Sequence, residues 1–195
     1  TLSEIDNYIW IYDFNSTNWK SFELYTTTTG SGIKEYNIKY ADAIEWDNKS
    51  EHIIFDALNE IKKTETDNYS FWEINILEVW NSTNNTFKEG NVLSLYSNLP
   101  EGVSIGYPTY AKGSNNLVAY DWITENNAYL VLHDLIKNKL TYIETDSWNV
   151  PSFSSDNNFI IYENQNKINK IGIDILNLEF SNEKSEIISE ANWGI

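Results

Sequence analysis

Pro151-Ser152-Phe153-Ser154-Ser155-Asp156-Asn157-Asn158-Phe159-Ile160-Ile161-Tyr162-Glu163 is the stretch on which the reading of this chain turns. It reads as a short strand carrying an aromatic, a polar turn built on Asp and Asn, and a second strand of branched and aromatic residues. Two further stretches follow the same plan: Ile44-Glu45-Trp46 through Asn48-Lys49-Ser50 to Phe55-Asp56, and Pro108-Thr109-Tyr110 through Ser114-Asn115-Asn116 to Tyr120-Asp121. The step from anchoring to closing aromatic is 9 residues from Trp46 to Phe55 and from Phe153 to Tyr162, and one residue longer from Tyr110 to Tyr120.

A second unit accompanies the first: an apolar strand ending in an acid and an apolar residue, then a polar turn and a return strand. Its copies are Ile11-Tyr12-Asp13-Phe14, Ile76-Leu77-Glu78-Val79, Leu132-His133-Asp134-Leu135 and Gly172-Ile173-Asp174-Ile175. The return strands are clearest at Trp19–Leu24 and Leu140–Glu144. Two hairpins in tandem predict a four-stranded antiparallel sheet. Runs such as His52-Ile53-Ile54-Phe55 and Tyr129-Leu130-Val131-Leu132 are too continuously apolar to leave one face in water, so both faces of these sheets are expected to be covered.

Phe153 lies 43 residues after Tyr110, and Trp193 lies 40 after Phe153. A period of about 40–45 residues of strand-rich sequence is that of a β-propeller blade. The expected fold is therefore all-β, a propeller segment of about 3.5 to 4 four-stranded blades. Residues 1–27 read as an outer half-blade, 36–100 as a blade with loop insertions at Leu58–Asn68 and Asn81–Gly90, 105–147 and 149–190 as two further blades, and 191–195 as the first strand of the next. A ring must close to hide its edges, so the chain is expected to be part of a larger propeller whose remaining blades come from a longer polypeptide. The start without Met agrees with that expectation. The alternative is a small ring in which residues 1–27 and 191–195 share one blade.

Pro151, Phe153, Ser154, Asp156, Ile160 and Tyr162 resemble the repeat of the TolB-like (PD40, WD40-like) propellers, P-x-[WF]-S-x-D-x-x-x-[ILV]-x-[YF]. The copy at Pro108, Tyr110, Val118 and Tyr120 has Ala111-Lys112-Gly113 where the Ser and Asp would stand, and the copy at Trp46 lacks the Pro. The resemblance implies an interaction or scaffolding module of the bacterial cell envelope, periplasmic or extracellular, that is not itself an enzyme and engages a protein partner. The same blades also serve as substrate-gating domains of serine peptidases whose catalytic domain would lie outside this chain, which is the alternative function.

Composition narrows the partners. Twenty-nine acids against 13 bases give a net charge of −16, which repels nucleic-acid phosphates and anionic membrane surfaces. Neither nucleic acid nor membrane insertion is expected, since no run approaches the roughly 18 apolar residues of a spanning helix. With no Cys, thiolate chemistry and Cys-based metal sites are excluded. His52 and His133 are the only histidines, and His133 and Asp134, adjacent in a strand, point to opposite faces and make no dyad. Acid pairs such as Asp121 with Glu125, or Asp42 with Glu45, have no distinctive spacing and read as solvated loop charges. No G-x-S-x-G elbow or phosphate loop occurs, so no catalytic residue, cofactor or metal site is assigned. The residues just before each inner strand line one mouth of a propeller channel, which makes Tyr107, Trp148, Asn149, Asp42 and Asn192 the binding candidates.

Overall fold

The computed structural model describes residues 2–3, 8–24, 35–62, 66, 68–96 and 99–188. Every regular element among them is a β-strand, so the all-β expectation holds. No helix there is long and apolar enough to cross a membrane. The chain divides into two compact units, Thr1–Leu99 and Pro100–Ile195.

In the first unit β1 (Leu2–Ser3), β2 (Tyr8–Asp13) and β3 (Asn18–Glu23) form one antiparallel sheet. A second sheet takes β4 (Glu35–Trp46), β5 (His52–Lys62) and β6 (Asn68–Glu78) in chain order. A small hairpin of β7 (Trp80–Asn81) and β8 (Thr86–Phe87) intervenes before β9 (Val92–Ser94) completes the second sheet against β6. Alternation places Ile53, Phe55 and Ala57 of β5 on one face, where they meet Ile9 and Phe22 of the first sheet and Leu24 just after it. Ile54 and Ile74, on the other face, are equally buried, so the continuous apolar run does mean a sheet covered on both sides. Each of these large side chains contributes about 1.5–3 kcal/mol when fully buried.

The two stretches expected as loop insertions are built differently. Strand β5 continues to Lys62 and β6 begins at Asn68, because Ala57, Asn59 and Ile61 keep alternating into the interior. The second stretch, Asn81–Gly90, holds the turn and return strand of the β7–β8 hairpin and ends on Gly90 at φ +96°, where a Cβ would stand 2.3 Å from the Phe22 ring.

In the second unit β10 (Ser104–Tyr110), β11 (Leu117–Ile123), β12 (Ala128–Asp134) and β13 (Lys139–Thr145) make a four-stranded meander. A second meander follows with β14 (Ser152–Phe153), β15 (Phe159–Asn164), β16 (Lys167–Asp174) and β17 (Glu179–Ile188). Ala111, Leu117, Ala119, Leu130 and Leu132 pack against Phe153, Ile160, Tyr162 and Ile171 as the shared core. The amide of Asn157 clips the two sheets together, accepting from the Lys112 N–H and donating to the Lys112 carbonyl, both at 2.7 Å. Tyr110 and Phe153 are buried as anchors. Trp46, expected to do the same in the first unit, is 42% exposed.

Two local devices recur. Asp13, Asn81, Asp134 and Asp174 each accept hydrogen bonds from the backbone N–H groups two and three residues ahead. The fourth residue ahead is left-handed each time: Thr17, Asn85, Asn138 and Leu178. This is a turn closed by an Asx carboxyl or amide and followed by one αL residue. In the first unit Asn81 of the β7–β8 hairpin takes this part although the acid-apolar pattern pointed to Glu78 at the end of β6; the Glu78 carboxylate instead meets Asn91 and Lys88. The second device is a left-handed residue three positions before each aromatic anchor: Ala43 before Trp46, Tyr107 before Tyr110 and Val150 before Phe153. In β4 and β10 it coincides with a bulge, between Asp42 and Glu45 and between Gly106 and Thr109.

Candidate functional site

Val150 at φ +48° and Tyr107 at φ +52° hold backbone conformations that ordinary side chains rarely adopt, and a β-branched residue least of all. Such geometry persists only where surrounding contacts over-determine it. At Val150 the contact is Asp121, a fully buried carboxylate near the end of β11. Asp121 accepts from the Asn149 N–H at 2.7 Å, the Val150 N–H at 3.1 Å and the Asn149 side-chain amide at 3.0 Å. Asn149 also donates to Thr145 Oγ1 at 3.0 Å, and its carbonyl accepts from the Glu163 N–H at 2.7 Å. Asp121 is therefore no solvated loop charge: it anchors the connection between the two sheets of this unit.

That clamp fixes what precedes it. Trp148, half-buried, sets its ring edge-on to Tyr107, with centroids 5.6 Å apart and planes at 76°. Beside Trp148 a cleft of about 270 Å³ opens between the β11–β12 turn and the β13–β14 connection. Glu125, Glu144 and Asp146 line it, and Asp146 is held in place by Gln165 at 2.6 Å and, through its own N–H, by Asn164 at 3.2 Å. The site combines a rigid aromatic pair with a negative cleft.

Tyr107, Trp148 and Asn149 thus lie together in the second unit, though with unlike roles: two aromatics partly open to solvent, and one buried amide that positions them. Asp42 belongs to the first unit, where it is exposed beside the left-handed Ala43 and accepts the Ala43 N–H at 2.9 Å. Asn192, like the strand expected at 191–195, lies outside the described residues.

The titratable groups elsewhere serve the fold. His133 is buried with Tyr120 Oη 3.3 Å from its Nδ1, and desolvation lowers its pKa below the usual histidine value. Burial works against the Asp134 carboxylate, but the Lys137 N–H and ammonium and the Asn116 amide outweigh it and bring its pKa to about 2. Sequence reasoning missed the pairing of His52 with Asp47, which meet at 3.0 Å while Asp47 also accepts the N–H groups of Glu51 and His52. The Asp in the turn five residues before His52 was the available signal. Among the described residues no group of three or more His, Asp or Glu is arranged to hold a metal ion.

No family model matches this chain, and no curated protein matches it. A solved structure of a luciferin-regenerating enzyme is similar at 10% identity with a TM-score of 0.46, over 75% of this chain and 60% of that one. The match thus spans less than two thirds of that protein's length. One expectation is corrected by this finding: the protein found similar is itself an enzyme, and the non-enzymatic role is not carried forward. A likeness of that TM-score and identity assigns no activity to this chain.

Proposed function

We propose that the sheets described above are blades of a β-propeller, and that the second unit binds an extended, basic segment of a protein partner at the Tyr107–Trp148 pair. The observation carrying this reading is the left-handed backbone at Tyr107 and at Val150, the latter held by the buried Asp121 carboxylate, with two aromatic rings standing edge-to-face beside a cleft lined by Glu125, Glu144 and Asp146. Rigid aromatics lose little entropy on binding and recur at the centres of protein interfaces. The acidic cleft and the net charge of −16 favour a cationic segment and speed its approach. The propeller reading is supported by consecutive four-stranded meanders that share a core face to face and repeat the same two turn devices. A place in the bacterial cell envelope is proposed on the Pro151–Tyr162 motif alone.

The test is an array of extended peptides of graded charge, measured by surface plasmon resonance. Basic peptides containing an apolar residue should bind, and Trp148→Ala should weaken them about tenfold, the equivalent of about 1.4 kcal/mol. Equal binding of acidic and basic peptides, or a Trp148→Ala protein that loses thermal stability but keeps its affinity, refutes the reading.

A further inference from the structure

A second aromatic site lies on the first meander of the second unit. Strand register puts Trp122, Tyr129 and Glu144 in one cross-strand row, with Tyr120, Val131 and Tyr142 in the next row on the same face. Trp122, Tyr129, Val131, Leu140 and Tyr142 enclose a depression of about 300 Å³. Its floor is the buried Val131, and its rim is Tyr142, 59% exposed, with the half-exposed Leu140. Tyr129 and Tyr142 stand edge-to-face with centroids 5.2 Å apart, so the two rings present surfaces at a large angle to one another.

Three features select the ligand. None of the five lining residues is basic. The ring faces of Trp and Tyr are electron-rich and attract cations, most strongly where the cation is poorly hydrated. Glu144, exposed at the end of the Trp122–Tyr129 row, places a carboxylate beside the aromatic wall. Aromatic walls, an apolar floor and an adjacent carboxylate suit a cation that is itself apolar at its surface. A primary ammonium would give up its hydration in a depression offering no hydrogen-bond acceptor on the floor, whereas a quaternary ammonium has no N–H to satisfy.

We infer that Trp122, Tyr129 and Tyr142, with Glu144 at their edge, form a binding site for the quaternary ammonium head of a small molecule. The site adjoins the peptide cleft at Trp148 and shares Glu144 with it, whereas Trp122, Tyr129 and Tyr142 line this depression alone.

Choline and its neutral carbon isostere, 3,3-dimethyl-1-butanol, separate charge recognition from simple apolar filling. Saturation-transfer NMR and a titration of the N-methyl resonance should show saturable choline binding, with the ring currents moving that resonance upfield. The isostere should bind at least tenfold more weakly. Tyr142→Ala should abolish choline binding, Tyr142→Phe should retain it, and Glu144→Gln should weaken it several-fold; both positions lie at the surface, and circular dichroism checks that the variants fold. Equal binding of choline and the isostere, no saturable choline signal, or full binding by the folded Tyr142→Ala protein overturns the assignment. Peptide binding at Trp148 measured on the same Tyr142→Ala protein should be unchanged.

Discussion

Replacing Asp121 by Ala removes the acceptor of three hydrogen bonds at the connection between the two sheets of the second unit. The Asn149 N–H is fully buried and would be stranded, at about 1–3 kcal/mol for an unsatisfied buried donor. The Val150 N–H is only partly buried and adds about 1 kcal/mol, while the Asn149 side-chain amide still has Thr145 Oγ1. The expected loss is about 2–4 kcal/mol, a large part of the stability of a small unit. Asp121→Asn keeps one carbonyl oxygen and should cost about half as much. Urea unfolding followed by circular dichroism measures the shift in midpoint. Because the chain has two compact units and a single transition is not assured, amide hydrogen exchange at Asn149 and Val150 supplies the local readout. With the clamp gone the strained φ of Val150 should relax and these two amides should lose protection and exchange through local opening, faster than the core strands. An Asp121→Ala protein within 0.5 kcal/mol of wild type, or with unchanged protection at the two amides, refutes the argument that this carboxylate holds the connection, with 0.5 kcal/mol taken as the usual scatter of an inconsequential substitution.

Further outcomes follow from the same geometry. Gly90→Ala should destabilise the first unit by about 2–3 kcal/mol in thermal unfolding, since φ is +96° and the new methyl meets the buried Phe22 ring. Thr17→Gly should stabilise it by about 0.5–1 kcal/mol, because a β-branched residue now holds φ +58° at an exposed turn. His133 and Asp134 predict acid responses in two pH ranges. His133 has a folded pKa below its unfolded value, so the unfolded chain takes up the proton first and stability should fall as pH drops through the ordinary histidine range near 6.5. Asp134 has a folded pKa of about 2 against 3.8, so its contribution is full above the unfolded value and lost as pH falls toward 2; Asp134→Asn should remove that second response and deepen the first, because the Asp134 charge raises the His133 pKa. Denaturant midpoints measured across pH check both.

Much of the architecture was legible because it is local. The spacing of Pro151, Phe153, Ile160 and Tyr162, and the polar turns between, carry strand and turn preferences that neighbouring residues set for themselves, and β14–β15 lies where they indicate. The continuous apolar runs at Ile53–Phe55 and Leu130–Leu132 foretold sheets covered on both faces, since residues alternate sides along a strand and every one of these is buried. The turns at Asp13, Asp134 and Asp174 were readable too, as Asp side chains reach their own following N–H groups, whereas for the one at Asn81 the pattern pointed to Glu78. Residues distant along the chain decided the rest. That Asp121 is a buried clamp for Asn149, 28 residues on, depends on two hairpins packing together, and the same letter in an isolated turn would be a solvated charge. The left-handed Tyr107 and Val150, the edge-to-face pairing of Tyr107 with Trp148 and the gathering of Trp122, Tyr129 and Tyr142 into one depression are likewise products of register and sheet packing. Sequence by itself set strands, turns and their period, because those energies are short-ranged; which side chains were left facing a cleft was decided only when the sheets came together.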